Sequence, residues 1–94
     1  MLFSVFTIDS PDTADKRKAV HGEHVAHLKK ANDFGVTITV GGPLMSDDGL
    51  NAIGSLMVLE APDRASVEKF NRADPFHRDG VWGKVEIRRF DRKE

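Results

Sequence analysis

Residues 81–90, VWGKVEIRRF, alternate Val81, Gly83, Val85 and Ile87 with Trp82, Lys84, Glu86 and Arg88. A period of two marks a strand with one face on a core and the other turned away. Such a strand needs partners, and the chain offers three. LFSVFTI (2–8) is rich in β-formers, VTITV (36–40) is almost wholly β-branched, and AIGSLMVLEA (52–61) follows the turn-forming MSDDGLN. After the first strand, Ser10 or Asp12 can cap a helix with Pro11 in its first turn. That helix runs to about Asn32, with Gly22 its weak point and Gly35 of DFG placed as its C′ residue. GGPL, after the second strand, must bend or bulge. PDRASVEKFNRAD reads as a second helix, capped by Asp63, with Val67, Phe70 and Ala73 as its apolar stripe. PFHRDG reads as a loop, and the charged tail DRKE as frayed. The order β-α-β-β-α-β predicts an α+β, ferredoxin-like domain spanning residues 1–94, an antiparallel four-stranded sheet with both helices on one face.

At 94 residues and 39% hydrophobic content the chain builds a core but leaves much of its surface uncovered. Phe3, Val5, Leu56, Val58, Trp82 and Phe90 cannot all be placed on the helix side. Some must lie on the opposite sheet face, which predicts a homodimer packed sheet to sheet as a dimeric α/β barrel. With 14 basic and 15 acidic residues there is no electrostatic case for nucleic acid. Cysteine is absent, which removes disulfides, thiolate nucleophiles and Cys-based metal sites together. No apolar run approaches the roughly 18 residues of a membrane span. MLFSVFTIDSPD has no basic n-region or cleavage site and reads as a first strand, so the expectation is a cytoplasmic protein.

VHGEHVAHLKK (20–30) carries three of the four histidines. On a helical wheel with Val20 at zero, Ala31 falls near about 20°, His24 near 40°, Leu28 near 80° and His21 near 100°. His24 is therefore central in the apolar stripe, while His21 and His27 occupy its two edges as expected solvated flanks. His21 and His27 diverge by about 120°, and the spacing is not H-E-x-x-H. A metal would need further ligands, and only His77 and scattered carboxylates are on offer, so no metal is expected. His24 is either a core histidine with both nitrogens satisfied or a general base held by an acid from across the fold. The candidate acid is Asp74 in ADPFHRDGVW, since Pro75 forces the chain out of the second helix there. The bland alternative for Asp74 is an Asx-type turn. Gly41, Gly42 and Pro43 bring backbone close to a ligand or form a bulge.

These residues resemble those of the YCII-related family, small ferredoxin-like dimers related in fold to dimeric α/β-barrel enzymes such as muconolactone isomerase. The resemblance runs over nearly the whole chain: MLFSVFTID, HVAHL, GGPL, GSLMVLEA, ADPFHRDGVW and VEIRRF, in this order. It places the family's helix histidine on His24 and its Asp before Pro on Asp74, which implies a His–Asp pair in a cleft on the helix side. The family's glycine–proline turn falls on Gly42 and Pro43. Some members carry Arg where this chain has His21, so the anion contact that Arg implies is in doubt here. The LMSDDGLN connection is also shorter than in members with an insertion, which changes one pocket wall.

What the resemblance implies is dehydrochlorination of a chlorinated hydroxyhydroquinone in aromatic degradation, or a related cofactor-free lyase or isomerase step. His24 would move the proton and Asp74 would orient the imidazole. Gly41, Gly42, Pro43, Ser55, Phe76 and Trp82 are the candidate substrate-binding residues. The rival is a non-catalytic dimeric module that binds a small ligand and uses His24 and Asp74 as a structural pair. A haem or oxygenase relative with His24 as axial ligand has no other feature in its favour.

Overall fold

The computed structural model describes all 94 residues, Met1–Glu94. The strands are β1 (Leu2–Asp9), β2 (Thr37–Met45), β3 (Ala52–Glu60) and β4 (Trp82–Phe90), and the helices are α1 (Ala14–Leu28), α2 (Arg64–Arg72) and α3 (Pro75–Arg78). The sheet order is β2-β3-β1-β4 with every pairing antiparallel. This is the expected ferredoxin-like plan, with its helices on one face and with α3 as an addition.

Register explains which side chains form the core. Val5 lies opposite Met57 and Ile87, and Phe3 opposite Leu59. These five residues are buried, together with Val67, Phe70 and Phe76 from the helical layer. Their alternates, Phe6 opposite Leu56 and Val40 opposite Val58, fall on the other face. That face is open: Val40, Leu56 and Phe90 are 61%, 40% and 41% exposed.

Several local expectations need correction. PFHRDG is not all loop, because Pro75 takes the N1 position of α3 and the Asp74 carboxylate caps it by accepting from the Phe76 N–H. Neither Ser10 nor Asp12 caps α1. Its N-cap is Thr13, whose hydroxyl turns back to the Ser10 carbonyl, while Asp12 sits at φ 61 in the left-handed region. The helix stops at Leu28, and a 3₁₀ turn (Ala31–Phe34) follows it, closed by left-handed Gly35. GGPL does not break the second strand. Gly41, Gly42 and Pro43 remain in β2, and the register slips on either side of them, at Thr39 between Ile38 and Val40 and again between Leu44 and Met45, where the bulge expected of GGPL is found. As an edge strand β2 tolerates a residue without an N–H.

The alternation of 81–90 also fails at one point. Ile8 pairs with Lys84, but Asp9 pairs with Trp82, leaving Gly83 as a bulge. Trp82 is thereby turned to the helix side, where it and Val81 are both buried. A Cβ on Gly83 would lie 2.6 Å from Ser10 Oγ and 3.1 Å from Ser10 Cα, so the two segments approach too closely for a side chain. No helix is long and apolar enough to cross a membrane.

Two glycines should respond with opposite sign. A Cβ at Gly54 would lie 2.1 Å from the Thr7 carbonyl oxygen of the neighbouring strand, so Gly54→Ala must push β1 and β3 apart. Urea denaturation should show a loss of about 1–3 kcal/mol or more. Gly22, on the exposed side of α1, has nothing within 4 Å of its Cβ position. Gly22→Ala should gain about 0.5–1 kcal/mol by the same measurement.

Candidate functional site

The wheel position of His24 turns it inward from α1, and it is 8% exposed. Its Nδ1 lies 2.8 Å from each carboxylate oxygen of Asp74. A carboxylate at this site accepts, so Nδ1 carries the proton. In the neutral ring Nε2 is then the unprotonated nitrogen, and it has no partner within the protein. Asp74, 1% exposed, holds the α3 N-terminus and the imidazole with the same group. Both readings of Asp74, Asx-type turn and histidine partner, are thus realised in one side chain.

The imidazole is fixed from the sides as well. Phe76 stacks on it at 3.9 Å between centroids and 9° between planes. Trp82 meets it edge-on at 6.3 Å and 84°. With its ring plane and one nitrogen both constrained, the free nitrogen has a set direction.

His24 lines a cavity of about 290 Å³ between α1 and the open end of β2 and β3. Gly41, Gly42, Pro43, Ser55 and Phe76 line it too. Gly41 faces Met57, whose Cγ would be 3.1 Å from an added Cβ, so the bare backbone keeps that wall open. Trp82 does not line the cavity. It stands behind His24 and Phe76 as a packing residue, because the Gly83 bulge places it in the core.

The flanking histidines differ from each other. His21 is exposed and lines the cavity. His27 is not a solvated flank: its Nε2–H donates to the Phe70 carbonyl at 2.8 Å, and its ring stacks on Phe70 at 4.7 Å. Its place at the stripe edge lets it reach α2 rather than solvent. His77 is exposed on α3.

Arg17 and its partner Asp9 escaped the sequence reading. Arg17, 8% exposed, lines the same cavity, with its guanidinium carbon 4.6 Å from the Phe76 ring centre. Its Nη1 donates to both oxygens of Asp9, at 2.9 and 2.8 Å. Its Nη2 donates to the Gly54 carbonyl and to Ser55 Oγ, both at 3.1 Å. The signal was present in the wheel, since Arg17 projects to about 60°, within the apolar stripe.

Residues 1–91 match the YCII-related domain. Protein YciI of Escherichia coli is 28% identical to the chain, with 96% of each covered. An uncharacterized protein of Haemophilus influenzae is 27% identical, again over 96% of each. Among solved structures, 5-chloro-2-hydroxyhydroquinone dehydrochlorinase of Burkholderia phenoliruptrix, in complex with 2,5-dihydroxybenzoquinone, superposes with a TM-score of 0.87. It is 27% identical, and the match covers 99% of this chain and 96% of that one. A putative antibiotic biosynthesis monooxygenase of Bacteroides thetaiotaomicron, 14% identical with a TM-score of 0.53, shares the fold.

Removing the Asp74 side chain leaves two buried donors, His24 Nδ1–H and Phe76 N–H, without an acceptor. Asp74→Ala should therefore cost about 2–5 kcal/mol in urea denaturation. Asp74→Asn keeps an oxygen for Phe76 and should cost less. Equal losses in the two variants would count against this account.

Proposed function

The chain belongs to the YCII-related family, and from that premise we propose that it is a small enzyme in which His24 transfers a proton on a hydroxylated ring, most closely a dehydrochlorinase of a chlorinated hydroxyhydroquinone. The observation that carries this reading is the imidazole whose Nδ1–H is held by Asp74 while Nε2 is left free at a cavity. A cavity of about 290 Å³ suits a single substituted ring; an apolar cavity of about 150 Å³ already takes benzene.

The chemistry follows from that arrangement. Nε2 removes a hydroxyl proton from the ring, and Asp74 stabilises the imidazolium that forms. The ring ketonises as a proton is delivered to the carbon bearing chlorine. Chloride then leaves with the C–Cl electron pair while another hydroxyl gives up its proton. The sum is a hydroxyquinone and HCl, and no outside oxidant is required. Gly41, Gly42, Pro43, Ser55 and Phe76 bind the ring in this scheme, with no metal or cofactor taking part.

A homodimer completes the proposal. The open sheet face carries Phe6, Val40, Leu56 and Phe90, and Lys84, Glu86 and Arg88 run along its β4 side. Such a mixture of apolar centre and both charge signs is self-complementary, as a two-fold interface requires. Sedimentation of the wild-type chain should give twice the monomer mass, and Leu56→Asp should give the monomer.

A second reading, a module that binds a ring without turning it over, is favoured by one fact: Asp74 also caps α3. Chloride release separates the two. The wild type should release chloride from 5-chloro-2-hydroxyhydroquinone, and His24→Ala should lower kcat by about 10²- to 10⁴-fold. Asp74→Asn would present an amide N–H to Nδ1 and drive the proton onto Nε2. Its loss should approach the 10⁴-fold or so seen for that exchange in a Ser-His-Asp triad. Binding of 2,5-dihydroxybenzoquinone without any chloride release would favour the module, and wild-type turnover in His24→Ala would exclude the pair as catalyst.

A further inference from the structure

Arg17 looks at first like an anion clamp, because it is a buried guanidinium beside a cavity. Its hydrogen bonds argue otherwise. An arginine has five N–H groups, and the four on Nη1 and Nη2 form the open end of the fork. Here both terminal nitrogens are engaged inside the protein, Nη1 with the two oxygens of Asp9 and Nη2 with the Gly54 carbonyl and Ser55 Oγ. The positive charge is also matched, since Arg17 and Asp9 form a pair whose side chains are 10% and 9% exposed. A salt bridge this enclosed holds its geometry, because releasing either partner would strand a charge out of water.

What the network controls is Ser55. A hydroxyl can both donate and accept. Arg17 donates to one of the two lone pairs of Ser55 Oγ, and no group of the protein accepts the Ser55 O–H. Ser55 is 5% exposed and lines the same cavity as His24, so that hydrogen is left for a ligand. The Ser55 carbonyl is engaged by the Thr7 hydroxyl at 3.4 Å, which gives the residue a second anchor.

We infer that Ser55 is a hydrogen-bond donor to an ionised oxygen of the bound ring, and that Arg17 and Asp9 are positioning residues that hold its hydroxyl at the cavity for that role. The inference rests on the reading of the cavity as a substrate site and narrows the substrate class. His24 Nε2 accepts a proton and Ser55 donates a hydrogen bond. The matching ligand therefore carries a hydroxyl at one position and an enolate, phenolate or quinone oxygen at another. Charge arising when His24 deprotonates the hydroxyl is delocalised through the ring onto that second oxygen, where the Ser55 O–H meets it without needing to reorient.

Two probes test this, with the full-length protein. 2,5-Dihydroxybenzoquinone is a vinylogous acid and is ionised at neutral pH, whereas hydroquinone is neutral. Calorimetric titration of Ser55→Ala should show the ionised quinone weakened by roughly 10- to 100-fold, the size of a hydrogen bond to a charged acceptor. Hydroquinone binding should change by less than about threefold, and Ser55→Thr should recover most of the loss. Arg17→Lys can pair with Asp9 but cannot also reach Gly54 and Ser55 with a planar fork. It should show the same selective loss, where a purely structural role would weaken both probes alike. His24→Ala, which removes the base, should keep the preference for the ionised quinone. If Ser55→Ala binds that quinone as tightly as the wild type does, this inference falls and the proton-transfer reading stands. If the wild type binds neither probe, both fall.

Discussion

The carboxylate of Asp74 joins parts of the molecule that have no covalent reason to be near each other. One group accepts the Nδ1–H of His24 from α1 and the N–H of Phe76 from α3. Because the same acid sets the start of α3, it also sets where the Phe76 ring stands, and that ring stacks on the imidazole it serves. Tautomer, ring plane and cavity wall are thus coupled. A site built this way stays ordered without a ligand, at the cost that structural and chemical roles cannot be altered separately at position 74.

Around this acid the polar groups of the cavity divide into two systems that share Phe76 as a neighbour. One is the His24–Asp74 pair. The other is the Asp9–Arg17–Ser55 chain, which crosses from the end of β1 through α1 to β3. Both follow the same logic: an acid fixes a basic side chain, and the far end of each system is left with an unpartnered group at the cavity. Buried polar networks are tolerated when every member is satisfied, and here the unsatisfied ends are the ones that open on the cavity.

Much of this was legible in the sequence where local rules govern. The inward direction of His24 follows from helical periodicity, the Asp63 cap from its position before α2, and the left-handed Gly35 from its place after Phe34. The fold followed from element order. What escaped depended on tertiary approach. The Gly83 bulge exists because Ser10 presses against β4, and no pattern in VWGKVEIRRF announces that contact. His27 finds its acceptor on α2, which the wheel of α1 does not contain. Arg17 stood in the apolar stripe from the start. Its meaning required Asp9, whose closeness only the folded sheet reveals.

The Gly83 bulge has a bearing on how related chains are compared. On its C-terminal side, Val85 and Ile87 face the helices and Lys84, Glu86 and Arg88 face away, while on its N-terminal side the order is reversed and Trp82 faces the helices. The strand holds two reading frames joined at one glycine. A homologue of the same length that pairs this strand without the bulge would keep a histidine and an acid in perfect alignment with His24 and Asp74. It would nevertheless carry its equivalent of Trp82 on the opposite side of the sheet, with nothing behind the imidazole. Kinship in the motif residues would then conceal a differently supported site, and a side chain in place of Gly83 would be the only trace of it.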